Sequence, residues 1–252
     1  MNPFSLENKH ILITGASSGI GRQCAITCSY FGAKVTITGR NKHELEQTLS
    51  DMSGGNHQII IADISKIDNI EDIVNESVSV NGKFDGFIHS AGIEVTLPLK
   101  MHKNKIIDDQ MRVNVYAGIE FIRNLSLKKY SNDYSSFILI SSIRGMVGAP
   151  GQLGYCTSKG ALLAAVKSLA TELAKRNIRV NAISPGQVEN TAMTEHMLNE
   201  FSDISLQKNK ESHLLGWLTA DDVANGAVYL LSNAAKKITG TNLIIDSGFT
   251  AV

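Results

Sequence analysis

The stretch that most constrains this chain is Gly15-Ala-Ser-Ser-Gly19-Ile-Gly21. Before it, His10-Ile-Leu-Ile-Thr14 reads as a buried strand. After it, Ile20, Ala25, Cys28 and Phe31 recur at helical spacing as far as Gly32, and Lys34-Val-Thr-Ile-Thr38 reads as a second strand. Strand, glycine-rich turn, helix and strand in that order is the context a dinucleotide site requires. Gly15 permits the tight turn, Gly19 lets backbone approach a pyrophosphate, and Gly21 lets helix and strand pack closely. The helix N-terminus then faces the anion with free N–H groups and the positive end of its dipole.

The end of the second strand bears on which dinucleotide fits. An acidic residue about 20 positions after the turn would hold a ribose 2′-hydroxyl. Here that place holds Gly39-Arg40. A guanidinium grips a 2′-phosphate in a bidentate way, so NADP(H) is favoured over NAD(H), against the plainer reading of Arg40 as an ordinary surface residue. Ser17 offers a hydroxyl to the same phosphate.

Further strands follow. Gln58-Ile-Ile-Ile-Ala62 is a third, ending at Asp63-Ile64, where Asp63 is either an acceptor for the adenine amino group or a helix N-cap. Phe84 to His89 is a fourth, leading into Ser90-Ala91-Gly92, small enough for backbone to lie against a nucleotide. Met101 to Lys129 reads as mostly helical and carries Asn114, a residue disfavoured inside a helix without a reason. Ser136 to Ser142 is a fifth strand, apolar enough to be buried on both faces. Arg179 to Ser184 is a sixth, closed by Pro185-Gly186, and Asn242 to Asp246 is a seventh. Residues 187–215, with Met193, Met197, Leu198 and Phe201 at roughly helical spacing, read as a substrate-side lid or as a plain surface helix.

Tyr155-Cys156-Thr157-Ser158-Lys159 carries the chemistry. Tyr155 and Lys159, four apart, share one helix face. The ammonium is expected to favour phenolate and draw the phenol pKa from about 10 toward neutrality, giving an acid–base group matched to neutral pH. A second such pair, Tyr30 and Lys34, straddles Gly32 and reads as structural. Cys156, the Gly145–Gly151 loop and residues 193–201 are expected to line the pocket.

With 252 residues, the chain reads as one α/β domain. Its 24 basic and 24 acidic residues balance, which gives no sign of nucleic acid as a partner, and no apolar run reaches the length of a membrane span. Three cysteines without metal-like spacing suggest no metal and a reduced, cytoplasmic setting, with Cys24 and Cys28 as small core residues.

Over nearly its full length the chain resembles the short-chain dehydrogenase/reductase family. The residues that carry this are Thr14-Gly-Ala-Ser-Ser-Gly-Ile-Gly21, Asp63, Ser90-Ala91-Gly92, Asn114, Ser142, Tyr155 with Lys159, and Pro185-Gly186. It looks most like the 3-oxoacyl-acyl-carrier-protein reductase branch. The resemblance implies a Rossmann-type, doubly wound, seven-stranded mostly parallel sheet with helices on both faces. It implies that Tyr155 gives a proton to a carbonyl oxygen, Ser142 hydrogen-bonds that oxygen, Lys159 lowers the Tyr pKa and binds ribose, and Asn114 holds a relay water. Cofactor contacts are implied for Gly15, Ser17, Ser18, Gly19, Ile20, Gly21, Arg40, Asp63, Ile64, Ser90, Ala91, Gly92, Tyr155, Lys159, Pro185, Gly186, Val188 and Thr191. The implied substrate is a small carbonyl or alcohol, an acyl thioester among the options, and the implied assembly is a homotetramer or dimer. Three departures stand out. His89-Ser90 replaces Asn-Asn, a Thr expected at Asn190 falls one later at Thr191, and Asp246-Ser247-Gly248 replaces Asp-Gly-Gly. A non-catalytic NADP-binding scaffold is the rival reading, though it would have no need of Ser142, Tyr155 and Lys159 together.

Overall fold

The computed structural model describes residues 2–200 and 203–251, and the side chains of His196, Met197, Asn199 and Glu200 lie outside that description. Phe201, expected on the apolar face of the lid, lies outside the described residues.

Strand β1 (His10–Thr14) is buried at every position, with Ile11 and Ile13 in one core and Leu12 in the other. That alternation is the period of two of a strand covered on both faces. A parallel neighbour needs a crossover connection, and the chain supplies one each time. Helix α1 (Gly19–Tyr30) leads to β2 (Lys34–Gly39), α2 (Lys42–Asp51) to β3 (Gln58–Ile61), and α3 (Ile70–Asn81) to β4 (Phe84–His89). Helices α4 (Asn104–Met111) and α5 (Ala117–Leu125) precede β5 (Ser131–Ile140), and α6 (Leu153–Leu173) precedes β6 (Arg179–Pro185). Helices α7 (Ala192–Glu200), α8 (Asp203–Glu211) and α9 (Ala220–Leu231) precede β7 (Asn242–Ile245). The seven strands form one sheet in the order β3-β2-β1-β4-β5-β6-β7, every pairing parallel.

One face packs Cys24 and Cys28 of α1 and Val223, Ala227 and Val228 of α9 against Ile11, Ile13, Val35 and Ile37. Both cysteines are fully buried, and burial pushes the Cys24 thiol up to about 12, the setting of an inert core residue. The other face centres on Phe87, whose ring lies 5.2 Å from Phe121 and 6.4 Å from Phe137. Leu162 and Val166 of α6 complete it. Strand order reverses between β1 and β4, so a crevice opens beyond their carboxyl ends.

Two elements differ from the sequence pattern. Strand β5 starts at Ser131 rather than Ser136, because a register shift opposite Phe84–Gly86 and a left-handed Tyr134 (φ 68°) carry a polar segment into the sheet. The helix expected across 101–129 is broken by a π-helical turn, Arg112–Tyr116, which separates α4 from α5. Tyr30 ends α1 and Lys34 opens β2, so that pair shares no helix.

At the turn after β1 three backbones meet. Gly15 has φ 68°, and a Cβ there would lie 2.7 Å from the Ala91 backbone. A Cβ on Gly21 would lie 2.3 Å from the Gly15 carbonyl oxygen. Backbone cannot yield as a side chain can, so Gly21→Ala is expected to lower stability by about 1–3 kcal/mol. Urea unfolding of the purified variant measures it, and an unchanged midpoint would contradict this packing.

Candidate active site

A cavity of about 820 Å³ lies in this crevice. Its walls include every residue expected to touch the cofactor, together with Ser142, whereas Asn114 is not on them. Cys156, expected in the pocket, is not on it: one residue past Tyr155, it looks from a different side of α6. Ala149 and Pro150 of the loop and Met193 of α7 do line it.

Tyr155 and Lys159 lie on one side of α6, with the Lys159 nitrogen 5.5 Å from the centre of the Tyr155 ring. Both are buried, at 8% and 4% exposure. Lys159 Nζ donates to the Ile140 carbonyl at 2.8 Å, tying the helix to the end of β5. Ser141 Oγ returns the tie by donating to the Lys159 carbonyl at 2.8 Å. Ser142 opens the turn after β5, its Oγ accepts from Arg144 N at 3.1 Å, and its hydroxyl is near enough to the Tyr155 phenol to lower its pKa.

The electrostatics run opposite to the sequence expectation. The Tyr155 phenol is raised above its ordinary value, first by burial and then by the Glu94 carboxylate, while the Ser142 hydrogen bond and Arg144 pull it down. Burial also lowers Lys159 to about 8. Both shifts have one cause, since a dry site disfavours the charged form of each group. The protein's own groups therefore hold Tyr155 as the protonated acid.

Asn114 sits fully buried in the π turn, a feature frequent at functional sites. Its Oδ1 accepts from Ile93 N at 2.8 Å, and its Nδ2 donates to Ile93 O at 3.0 Å and to Ser158 Oγ at 2.9 Å. It clasps the backbone after β4 from both sides and joins it to α6. With both amide hydrogens committed, Asn114 can offer a relay water only an acceptor.

His89, where the family pattern has Asn, secures the same turn. Its Nε2 bonds the Val113 carbonyl at 3.1 Å and its Nδ1 meets Thr14 Oγ1 at 2.9 Å. A carbonyl only accepts, so Nε2 carries the hydrogen and Nδ1 accepts from Thr14. Burial, then Lys159, lowers His89 to about 4, keeping it neutral. No sequence signal pointed to this role, because the ring's partners lie on β1 and the π turn.

At the far end, α1 begins with Ser18 extended and making no side-chain cap, and its first turn holds no acidic residue. These N–H groups suit an anion. The turn is held by residues the sequence did not single out. Arg22 donates to the Ser17 carbonyl at 2.6 Å, to Thr48 Oγ1 at 3.1 Å and to the Glu44 carboxylate, and Thr48 Oγ1 donates to Ala16 O at 2.9 Å. Arg40 is exposed at the cavity edge. Asp63 Oδ1 accepts from Ser65 N at 3.1 Å, so the carboxylate makes a turn as well as lining the cavity, and Ser65 is the chief reason its pKa is lowered. Thr38 Oγ1 is buried on this wall without a partner. The cradle, the anion-ready helix end and the orphaned hydroxyl fit a dinucleotide.

After β6, Thr191 faces the cavity beside Gly19, whereas Asn190 is left-handed (φ 54°) and exposed. His213 Nε2 accepts from Gln187 N at 3.0 Å, joining the end of α8 to this loop. Asp246 folds the C-terminal turn by accepting from Gly248 N and Thr250 N, both at 2.9 Å. Among the described residues no group of three or more His, Cys, Asp or Glu is arranged to hold a metal, and no helix is long and apolar enough to cross a membrane.

Residues 15–250 match the family model described as enoyl-(acyl carrier protein) reductase. The chain is 32% identical over 248 residues to the glucose 1-dehydrogenase of Gluconobacter oxydans, covering 96% of this chain and 92% of the relative. It is 33% identical over 253 residues to the 3-oxoacyl-[acyl-carrier-protein] reductase of Rickettsia prowazekii, covering 99% and 100%. A dehydrogenase/reductase from Sinorhizobium meliloti superposes with a TM-score of 0.90 at 30% identity, over 98% of this chain and 97% of the other. A Beutenbergia cavernae protein solved with NADP bound superposes at 0.89 and 27% identity over 100% of both chains.

His89 makes stability depend on pH. Its pKa when folded, about 4, lies below the ordinary 6.5, so its contribution is complete above about pH 6.5 and is lost as pH falls toward 4. Between about pH 7 and pH 5 the loss is expected to be about 2 kcal/mol. Denaturant melts of wild type and His89→Asn at both pH values should show the variant's curve flatter by this amount. Parallel curves would refute it.

Proposed function

The chain belongs to the short-chain dehydrogenase/reductase family, and on that premise we propose that it interconverts a ketone and a secondary alcohol with NADP(H). The carrying observation is that Ser142, Tyr155 and Lys159 share one wall of a cavity whose other end is the glycine turn. When bound, the dinucleotide supplies or takes up the hydride at the reacting carbon. In reduction, Tyr155 gives its proton to the developing alkoxide while Ser142 hydrogen-bonds the same oxygen. Donors fixed in advance in a dry site act where charge develops, usually the largest part of such catalysis. Lys159, at about 8, binds ribose and returns a proton to Tyr155, with Asn114 offering its acceptor oxygen to the relay. Because Tyr155 is held as an acid, reduction should run well at neutral pH and alcohol oxidation should rise with pH.

The case for NADP rests on Arg40. Arg22, the other guanidinium near the turn, is engaged by Glu44, Ser17 and Thr48, and β2 ends in Gly39 rather than an acid. Arg40 therefore takes the 2′-phosphate, Asp63 and Ile64 flank adenine, and Thr191 meets the nicotinamide end. Helices α7 and α8, which contribute Met193, Thr194, Ser205 and Asn209 to the cavity wall, form a lid within residues 187–215 of a single domain. The substrate is an acyl thioester or a small polyol, after the relatives of both kinds. We place the enzyme in the cytoplasm as a homotetramer or dimer.

Tyr155→Phe is expected to cut kcat about 10²–10⁴-fold while leaving NADPH binding, read by fluorescence titration, nearly intact. Unchanged turnover would return the chain to a scaffold role. Arg40→Ala should weaken NADPH about ten- to hundredfold and leave NADH alone. Equal losses for both cofactors would remove the NADP assignment.

A further inference from the structure

The proposed chemistry leaves one buried ring on the cavity wall without a task. Gly186, Gln187 and Val188, just after β6, line the cavity, and so do Ser205, Leu206 and Asn209 of α8. His213, just past the end of α8, lines it with them and is only 3% exposed. Its ring joins the two groups through both nitrogens. Nδ1 bonds the Asn209 carbonyl at 2.8 Å, and a carbonyl only accepts, so Nδ1 carries the hydrogen. Nε2 is then the acceptor, and it takes the Gln187 N–H at 3.0 Å. The ring is seated against the backbone it holds, since a Cβ on Gly186 would lie 2.9 Å from Nε2. The Phe249 ring, with its centre 4.8 Å away, backs it from the C-terminal turn.

Gln187 is where the ties of this region converge. Its carbonyl accepts from Leu218 N at 2.9 Å, and its side-chain Nε2 donates to Thr194 Oγ1 at 2.6 Å. One residue is therefore bonded to α7, to the end of α8 and to the chain returning at Leu218. The bond to His213 is the one that sets the plane of the peptide between Gly186 and Gln187, because it holds that peptide's only donor. On the dinucleotide reading this backbone borders the nicotinamide end, beside Thr191.

We infer that His213 is a positioning residue: by accepting the Gln187 N–H it locks the loop after β6 to α8, and through that loop it orients the nicotinamide half of the cofactor. This rests on the dinucleotide reading and adds to it a residue outside both the glycine turn and the wall of Ser142, Tyr155 and Lys159. The glycine turn is braced separately, by Arg22 and Thr48. Loss of the lock therefore weakens a whole dinucleotide and spares a ligand that has no nicotinamide. Two substitutions separate the nitrogens. A glutamine amide oxygen reaches as far as Nε2, so His213→Gln keeps the acceptor for Gln187 and gives up the donor to Asn209. An asparagine amide reaches only as far as Nδ1, so His213→Asn does the reverse.

The test titrates wild type and both variants with NADPH and with 2′-phospho-ADP-ribose, which lacks nicotinamide, by calorimetry. His213→Asn should bind NADPH about tenfold more weakly and 2′-phospho-ADP-ribose within about twofold of wild type. His213→Gln should stay within about threefold of wild type for both. Equal weakening of NADPH in the two variants, or equal weakening of both ligands in His213→Asn, makes the ring a packing residue and overturns the inference. If His213→Asn does not fold, hydrogen exchange at the Gln187 amide of wild type decides. Exchange slowed by NADPH and not by 2′-phospho-ADP-ribose upholds the lock, and exchange that both slow equally, or neither slows, overturns it. If wild type binds NADH in place of NADPH, the NADP assignment is what fails, and the same ratios are read with NADH and ADP-ribose. Wild type that binds no dinucleotide overturns the inference together with the reading beneath it.

Discussion

Backbone pressed against backbone at the end of β1 is the constraint from which the rest of the molecule follows. The turn at Gly15, the first turn of α1 at Gly21 and the segment at Ala91 approach within distances that leave no room for a side chain. Only then do β1 and β4 lie as neighbours at the place where strand order reverses. The crevice, the exposed end of α1 and the path of residues 90–94 along its floor are consequences of that contact. Asn114 extends the same logic one layer outward, because its two bonds to Ile93 fix the floor and its bond to Ser158 fixes the floor to the helix that carries Tyr155 and Lys159.

Much of this was legible in the residues. Local contacts dominate the turn, and so Gly15, Gly19 and Gly21 announce it. The buried strands announce themselves as apolar runs, and Thr219 with Asp222 makes the capping box that starts α9. The face shared by Tyr155 and Lys159 follows from helical spacing alone. Other features depend on what lies across space. The π turn needs His89 from β4 and Ile93 from the following loop to stabilise it, and neither is encoded in the periodicity of 101–129. The clamp of Arg22 and Thr48 on the turn joins residues from α1 and α2. The start of β5 at Ser131 depends on a bulge against Phe84, so its polar residues carry no strand signal.

The protonation of Tyr155 was the instructive reversal. Sequence spacing shows that an ammonium is near, but it does not show how dry the place is. Burial acts on both members of the pair, raising the phenol and lowering the amine. A site so arranged is an acid first, and it becomes a base only when the surroundings add positive charge or the solution removes protons.

The two ends of the cavity's anion-binding region differ in how they feel the solvent. The turn is built from main-chain N–H groups and braced from beneath by Arg22 and Thr48, so it meets a phosphate already rigid and mostly shielded. Arg40 stands in open water on a flexible stem. Mobile ions weaken an exposed charge over a Debye length of about 8 Å at physiological ionic strength, while sheltered dipoles are hardly touched. On the proposed reading of Arg40 as the partner of a 2′-phosphate, discrimination between phosphorylated and unphosphorylated dinucleotides should therefore fade in brine long before capture of either one does, which makes ionic strength a dial on selectivity rather than on occupancy.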